Sequence, residues 1–217
     1  MTDPSLTPAE RDKANQLRRR AYAKGASRFD KQMGLCERWM FGSEHRAWAC
    51  SRAAGETLEV AIGTGLNLAH YPADLQLTGL DLSPEMLEFA ASRAAALGRP
   101  VELKEGDAQE LPFPDSCFDS VVCTYSLCSV PDVPRAISEM KRVVKPGGRL
   151  ILLDHIRSSL KPIFWFQRLV EAVTARIEGE YMTRRPSLHV ESAGLEIQER
   201  DRLRAGVVER LTAKKVQ

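Results

Sequence analysis

At 217 residues, with 43% hydrophobic residues, the chain holds enough apolar material for one sizeable core and is short for two independent domains. Its 31 Lys plus Arg against 29 Asp plus Glu leave a formal charge of +2, which gives no basic footprint for a nucleic-acid partner. No apolar run reaches the roughly 18 residues of a membrane span, and "MTDPSLTPAERDK" lacks a signal-peptide core, so a soluble, cytoplasmic protein is expected. Five cysteines without a C-x-x-C pair fit neither a disulfide framework nor a zinc site. Reduced thiols and no metal are expected, with Cys123 as a small buried hydrophobe.

The first element, "PAERDKANQLRRRAYAKG", reads as a helix from Pro8 to a stop at Gly25, followed by shorter helical pieces carrying Trp39, Met40, Phe41 and Trp48. From residue 57 the rhythm becomes strand, turn, helix. "TLEVAIG" is the first strand, and "LNLAHYP" begins a helix after its glycine turn. "LQLTGLDLS" is the second; Ser83 caps and Pro84 starts the helix that Gly98 stops. "VELKEGDA", "FDSVVCTYSL" and "RLILLDHI" are strands three to five, with "VPRAISEMKRVV" the helix between the last two. "PIFWFQRLVEAVTARIEG" is a longer helix, and "LEIQERDRL" and "GVVERLTAK" are late strands.

This alternation predicts an α/β fold: a Rossmann-like, doubly wound sheet of seven strands, mostly parallel, with an antiparallel hairpin at its C-terminal edge. One domain is expected over 1–217, made of a helical cap at 1–54, a cofactor-binding core at 55–157, and a lid helix with the hairpin at 158–217.

In such a sheet the ligand sits beyond the carboxyl ends of the strands, which directs attention to the residues found there. They are Gly63, Thr64 and Gly65 with Glu59 behind them, then Asp81, Asp107 with Ala108, Thr124 to Ser126, and Asp154 with His155. A carboxylate about twenty residues beyond a glycine turn is placed to accept both ribose hydroxyls, so Asp81 argues for an adenosine-type ligand. A dinucleotide would want a third glycine where Leu68 stands, to bring the helix N-terminus onto the pyrophosphate. Two acids and no phosphate cradle favour S-adenosylmethionine.

At this point the chain resembles the class I S-adenosylmethionine-dependent methyltransferases of the methyltransferase type 11 group. The resemblance rests on "LEVAIGTGLN", "LTGLDLSPEML", "EGDAQELPFPDSCFDSVV" and "MKRVVKPGGRLILLDH", in the family's order, across about residues 55–157. It implies that Glu59 and the turn Ala61, Gly63, Thr64, Gly65 and Asn67 hold the methionine moiety, and Asp81 the ribose. Asp107 and Ala108 would meet the adenine edge, Leu82 and Met86 its face, and Thr124 the cofactor's side. The family often has glycine where Ala61 stands; alanine fits there when its φ is negative. "HYP", "VVCTYSLCSVPD" and "YMTRRP" are similar to thiol methyltransferases of the methyltransferase-like group and to bacterial phosphatidylethanolamine N-methyltransferases.

Methyl transfer is an in-line displacement at an activated carbon, so the protein's task is alignment and exclusion of water. His155, with Asp154 beside it, is the expected proton acceptor, His45 and Tyr22 are further candidates, and Ser126 and Cys128 could touch cofactor or acceptor. His70 and His189 are assigned to surface or packing. The N-terminal helices and the 158–190 helix are expected to form a lid whose Trp39, Phe164, Trp165 and Phe166 line an apolar acceptor pocket. The expected partner is therefore a small lipophilic acceptor, most simply a thiol, with peripheral membrane contact allowed. A phospholipid headgroup, a nicotinamide-dependent oxidoreductase and a non-catalytic cofactor-binding protein are the competing readings.

Overall fold

A computed structural model describes residues 6–177 and 179–216. Its seven strands form one sheet in the order β3-β2-β1-β4-β5-β7-β6. They are β1 (Glu56–Val60), β2 (Gln76–Asp81), β3 (Glu102–Glu105), β4 (Phe118–Thr124), β5 (Val144–His155), β6 (Glu196–Leu203) and β7 (Val208–Lys214). The first five run parallel; β7 pairs antiparallel with both β5 and β6. Strand order reverses between β1 and β4, which opens a crevice beyond the ends of those two strands.

Both faces of the sheet are covered, and the sequence shows why. In β5, Leu150 and Leu152 enter the core layer containing Ile137 and Met140, while Ile151 and Leu153 enter the layer containing Leu68 and Leu77. A period of two with both phases apolar is the pattern of a strand buried on each side. The edge strand β6 alternates half-buried and exposed residues instead.

Helices α3 (Pro84–Leu97) and α4 (Val133–Val143) are capped by Ser83 and Asp132, and Gly98 ends α3 in the left-handed conformation with φ 61°. The expected stop at Gly25 is not observed: α1 runs from Pro8 to Cys36 and continues through a π-helical turn at Glu37–Phe41. A glycine in a helix interior costs only about 1 kcal/mol. The capping box of Thr7 and Glu10 fixes the start of α1, and polar contacts to the core hold it beyond the glycine.

The expected helix at "LNLAHYP" is also absent. Residues 62–70 instead form consecutive turns, with Gly65, Leu68 and His70 donating to the carbonyls of Ile62, Gly65 and Asn67. Pro72 follows too soon for a helix, and the side chains of Thr64 and Asn67 bond elsewhere. After α2 (His45–Cys50), the remaining helices are α5 (Lys161–Ile177) and α6 (Pro186–Ser192). The latter was not expected, and Glu178, within the expected span of the former, lies outside the described residues.

Candidate cofactor and acceptor site

The turn after β1 is built around Asp81, the last residue of β2. Its Oδ2 accepts from the Gly63 amide at 2.7 Å and its Oδ1 from the Ser83 amide at 2.9 Å. Burial raises the Asp81 pKa, and these backbone donors oppose the rise. Gly63 has φ 57°, and a Cβ there would meet no atom within 4 Å, so this side of the turn faces open space. At Gly65, by contrast, a Cβ would come within 2.7 Å of the Leu68 side chain. Ala61 adopts φ 57°, the left-handed conformation, so the condition of a negative φ is not met.

A cavity open to solvent lies over this turn. Ala61, Gly63, Thr64, Asp81, Leu82, Met86, Asp107, Ala108 and Thr124 line it, so most of the cofactor residues expected from sequence share one space. Glu59, Gly65 and Asn67 do not line it but stand behind the lining. Glu59 accepts from Asn67 Nδ2 at 2.7 Å and from the Tyr71 hydroxyl at 3.0 Å. Its burial pushes its pKa up to about 7 despite those donors.

Sequence reasoning missed Arg46. Its Nε donates to Glu37 at 2.6 Å, and its Nη1 donates to Asn67 Oδ1 at 2.9 Å and Thr124 Oγ1 at 3.2 Å. The guanidinium thus joins the N-terminal helices to the turn and to β4 while lining the cavity. No spacing or motif in "EHRAWAC" marks it, because its partners are distant in sequence.

Helix α1 covers the cavity. Asn15 Nδ2 donates to Asp107 Oδ2 at 2.7 Å, and Thr64 Oγ1 donates to Asp30 at 2.6 Å, with Arg93 pairing the same aspartate. Between these pins Arg18, Tyr22 and Phe29 line the cavity, and Met33 does so just beyond them. Tyr22 donates to Ser129 at 3.1 Å, and Arg18 Nη2 donates to the Gly179 carbonyl at 2.8 Å, leaving its buried Nε without a partner. Tyr125 also lines the cavity, with a left-handed φ of 50° and a buried hydroxyl that has no partner among the described residues. A strained residue with an unsatisfied polar group is a marker of function. Ser126 lines the cavity too, its hydroxyl donating to the Thr124 carbonyl at 2.8 Å.

His155 and Asp154 are placed differently from expectation. Strand β5 pairs with β7 as far as His155, so both residues lie within the sheet rather than beyond its end. Neither lines the cavity. The His155 ring stacks on Phe41 at 5.6 Å, and its Nε2 meets Glu180 at 3.0 Å. Burial alone would lower the His155 pKa; the Glu180 hydrogen bond and the neighbouring carboxylates outweigh it and hold the pKa above its ordinary value. The same bond holds Glu180 below the usual range. Asp154 accepts from the amides of His155 at 2.8 Å and Cys128 at 3.3 Å, anchoring the loop after β4.

Cys128, His155 and Glu180 bring donor atoms within 4.8 Å of one another, and the histidine–glutamate pair occupies two of them. Cys128 is buried outside the cavity lining. His45 is likewise buried outside it, with Nδ1 at 3.4 Å from Arg210. His70 is exposed.

The expected lid is half present. Helix α1 lines the cavity, whereas no residue of α5 does, and Trp39, Trp165 and Phe166 are exposed. The physical reason lies in the polar residues of α5: Gln167 and Glu171 are bonded inward, which turns the aromatic face outward.

A reversing sheet, an acid at the end of β2 holding a glycine turn, and a second acid beyond β3 give the chain the fold of the class I S-adenosylmethionine-dependent methyltransferases. Residues 58–152 match the family described as "Methyltransferase domain". The chain is 40% identical over 126 residues to a phosphatidylethanolamine N-methyltransferase of Cereibacter sphaeroides, covering 57% of this chain and 60% of that one. It is 33% identical over 160 residues to a demethylmenaquinone methyltransferase of Symbiobacterium thermophilum, covering 70% and 64%. The chain thus spans about three fifths of the length of these two relatives.

Among solved structures, a possible histamine N-methyltransferase of Thermotoga maritima aligns with TM-score 0.70 at 21% identity, over 89% of this chain and 98% of that one. A putative methyltransferase of Bacillus halodurans aligns with TM-score 0.69 at 20% identity, over 81% and 99%. These two likenesses concern the fold. The cofactor of the class is S-adenosylmethionine, and the residues present fit it: a buried carboxylate at Asp81, a half-buried one at Asp107, and an unfilled space at Gly63.

Proposed function

We propose that the protein transfers a methyl group from S-adenosylmethionine to a small lipophilic acceptor, most simply a thiol, in the cytoplasm. The observation that carries this reading is that one cavity is shared by the Asp81-held turn and by Arg18, Tyr22 and Tyr125. Donor and acceptor then meet in a single space. When bound, S-adenosylmethionine supplies a methyl group already activated on a sulfonium.

The chain's own residues bind and align. In this reading Arg46, backed by Asn67 and Glu59 behind the lining, meets the amino-acid end, Asp81 the ribose, Asp107 with Ala108 the adenine edge, and Leu82 and Met86 its face. Thr124 and Thr64 close the sides. Helix α1 excludes water, and such alignment supplies about 7–11 kcal/mol in effective concentration.

The reading of the acceptor as a thiol is supported by Arg18 and the unpartnered Tyr125 hydroxyl, which together suit an anion. A thiol near pKa 8.5 is only a few per cent ionised at pH 7, and a guanidinium beside it raises that fraction. No base in contact with the acceptor is then required, and Asp154 and His155 act by positioning the loops around the cavity.

A second reading, N-methylation of a phosphatidylethanolamine headgroup, is favoured by the Cereibacter relative. Radiolabelled methyl transfer to a thiol panel and to phosphatidylethanolamine in mixed micelles separates the two. Labelled thiols and unlabelled lipid are expected; the reverse would replace the first reading with the second.

A further inference from the structure

Helix α5 is inverted relative to an ordinary surface helix. Its buried residues are polar, Gln167 and Glu171, and large apolar residues are among its exposed ones. Gln167 donates to the Ile156 carbonyl at 2.8 Å and accepts from the Ser158 amide at 2.8 Å. Glu171 accepts from the amide and hydroxyl of Thr183 at 2.8 and 2.7 Å. These four bonds fix the rotation of the helix about its axis, so its outward face is set by the fold.

That face carries Trp165, Phe166, Leu169, Val173 and Ile177, with Leu160 just before the helix; Trp165 and Leu169 are 68% and 70% exposed. Scattered surface hydrophobics need no explanation, but a continuous stripe of this kind does. Lys161, Arg168 and Arg176 are also exposed on α5; its one acidic residue, Glu171, is buried and pairs with Arg168 at 3.0 Å, which leaves Lys161 and Arg176 as the outward cations not paired to it. The π-helical turn after α1 adds exposed Trp39 and Met40 and basic Arg38. It joins the loop after α5 through the stack of Phe41 on His155, which pairs with Glu180.

We propose that the outward face of α5 seats this protein on the surface of an anionic phospholipid bilayer. Large apolar side chains with a tryptophan, interspersed with cations and, among the described residues of α5, free of exposed acid, match the headgroup–acyl boundary of such a membrane. A second copy is a poorer occupant, because the same cations would face each other across a two-fold contact. No helix among the described residues is long and apolar enough to cross a membrane, so the contact is peripheral. The proposal stands apart from the choice of methyl acceptor, since α5 does not line the cavity.

The test is flotation of the full chain with vesicles of phosphatidylcholine alone and with added phosphatidylglycerol. Two variants accompany it: Trp165→Ser with Leu169→Ser, and Lys161→Gln with Arg176→Gln. Binding to the anionic vesicles is expected, weakened by salt. The apolar variant should lower partitioning by about tenfold or more, with unchanged thermal midpoint and cofactor affinity. The charge variant should lose binding on anionic vesicles only. Failure of the wild-type chain to float with either vesicle overturns the proposal. So does a two-copy mass in solution that becomes one in the apolar variant, which would assign the face to self-association. Equal binding to neutral and anionic vesicles overturns the choice of an anionic surface.

Discussion

Asn15 Nδ2 donates to Asp107 Oδ2 at 2.7 Å, joining the helix that covers the cavity to the carboxylate expected at the adenine edge. A cover held by a few polar pins opens when those pins break, and opening sets the rate at which a ligand leaves. Asn15→Ala removes one pin from a helix that keeps Asp30–Thr64 and Tyr22–Ser129. With a hydrogen bond to a charged group contributing about 1.5–3 kcal/mol, release of S-adenosylhomocysteine should accelerate by about tenfold or more in stopped flow. An unchanged release rate would show that α1 does not gate the cavity.

Glu59 gives a pH dependence with a definite sign. Its folded pKa is about 7 against an ordinary 4.5, so the native state retains a proton there that the unfolded chain has lost. The associated stability is full below about 4.5 and is lost as pH rises towards 7, on the order of 3 kcal/mol for this group. A cationic amino group bound in the cavity, with Glu59 behind its lining, favours the ionised form. Cofactor affinity should therefore rise over the same window. Denaturation and calorimetry of wild type and Glu59→Gln read both slopes, and the glutamine variant should lose both.

Ala61 adopts φ 57°, where a Cβ costs about 1–2 kcal/mol. Glycine relieves that strain while adding entropy to the unfolded chain. Ala61→Gly should therefore stabilise the protein by about 0.5–1 kcal/mol in urea titration. A destabilised variant would mean that the turn does not hold the strained conformation in solution.

The His155–Glu180 pair has a window of its own. The histidine's raised pKa contributes stability below about 6.5 that is lost as pH rises through its folded value. The lowered pKa of Glu180 contributes above about 4.5 and is lost as pH falls through its folded value. Glu180→Gln should cost about 2 kcal/mol near pH 6 and less on the alkaline side. Because neither residue lines the cavity, the methyl-transfer pH profile of His155→Gln, measured on folded protein, should keep its shape. A lost ionisation in that profile would return His155 to the reacting atoms.

The sheet and the cofactor wall were legible because their signals are local. The apolar run of β5, the Ser83–Pro84 start of α3 with its Gly98 stop, and the Gly63–Gly65 turn are each read from one stretch of chain, and Asp81 stands at the end of the next strand. What was not legible depends on distant pairing. Arg46 is marked only by Asn67 and Thr124, which the fold brings to it. The reach of β5 to His155 depends on β7, and so the base expected at a strand end lies inside the sheet. The aromatics of α5 read as pocket lining because composition does not say which way a helix is rotated. Gln167 and Glu171 decide that, through partners the sequence does not name.

The central claim is that the cavity over Gly63 and Asp81 is the S-adenosylmethionine site. Calorimetric titration of S-adenosylhomocysteine into the wild-type chain and into Asp81→Ala tests it most directly. The wild type should bind one equivalent, and the variant, with its thermal midpoint measured alongside, should bind at least about a hundredfold more weakly through lost charged hydrogen bonds. A wild-type chain that gives no heat, or a folded variant of unchanged affinity, would contradict the account.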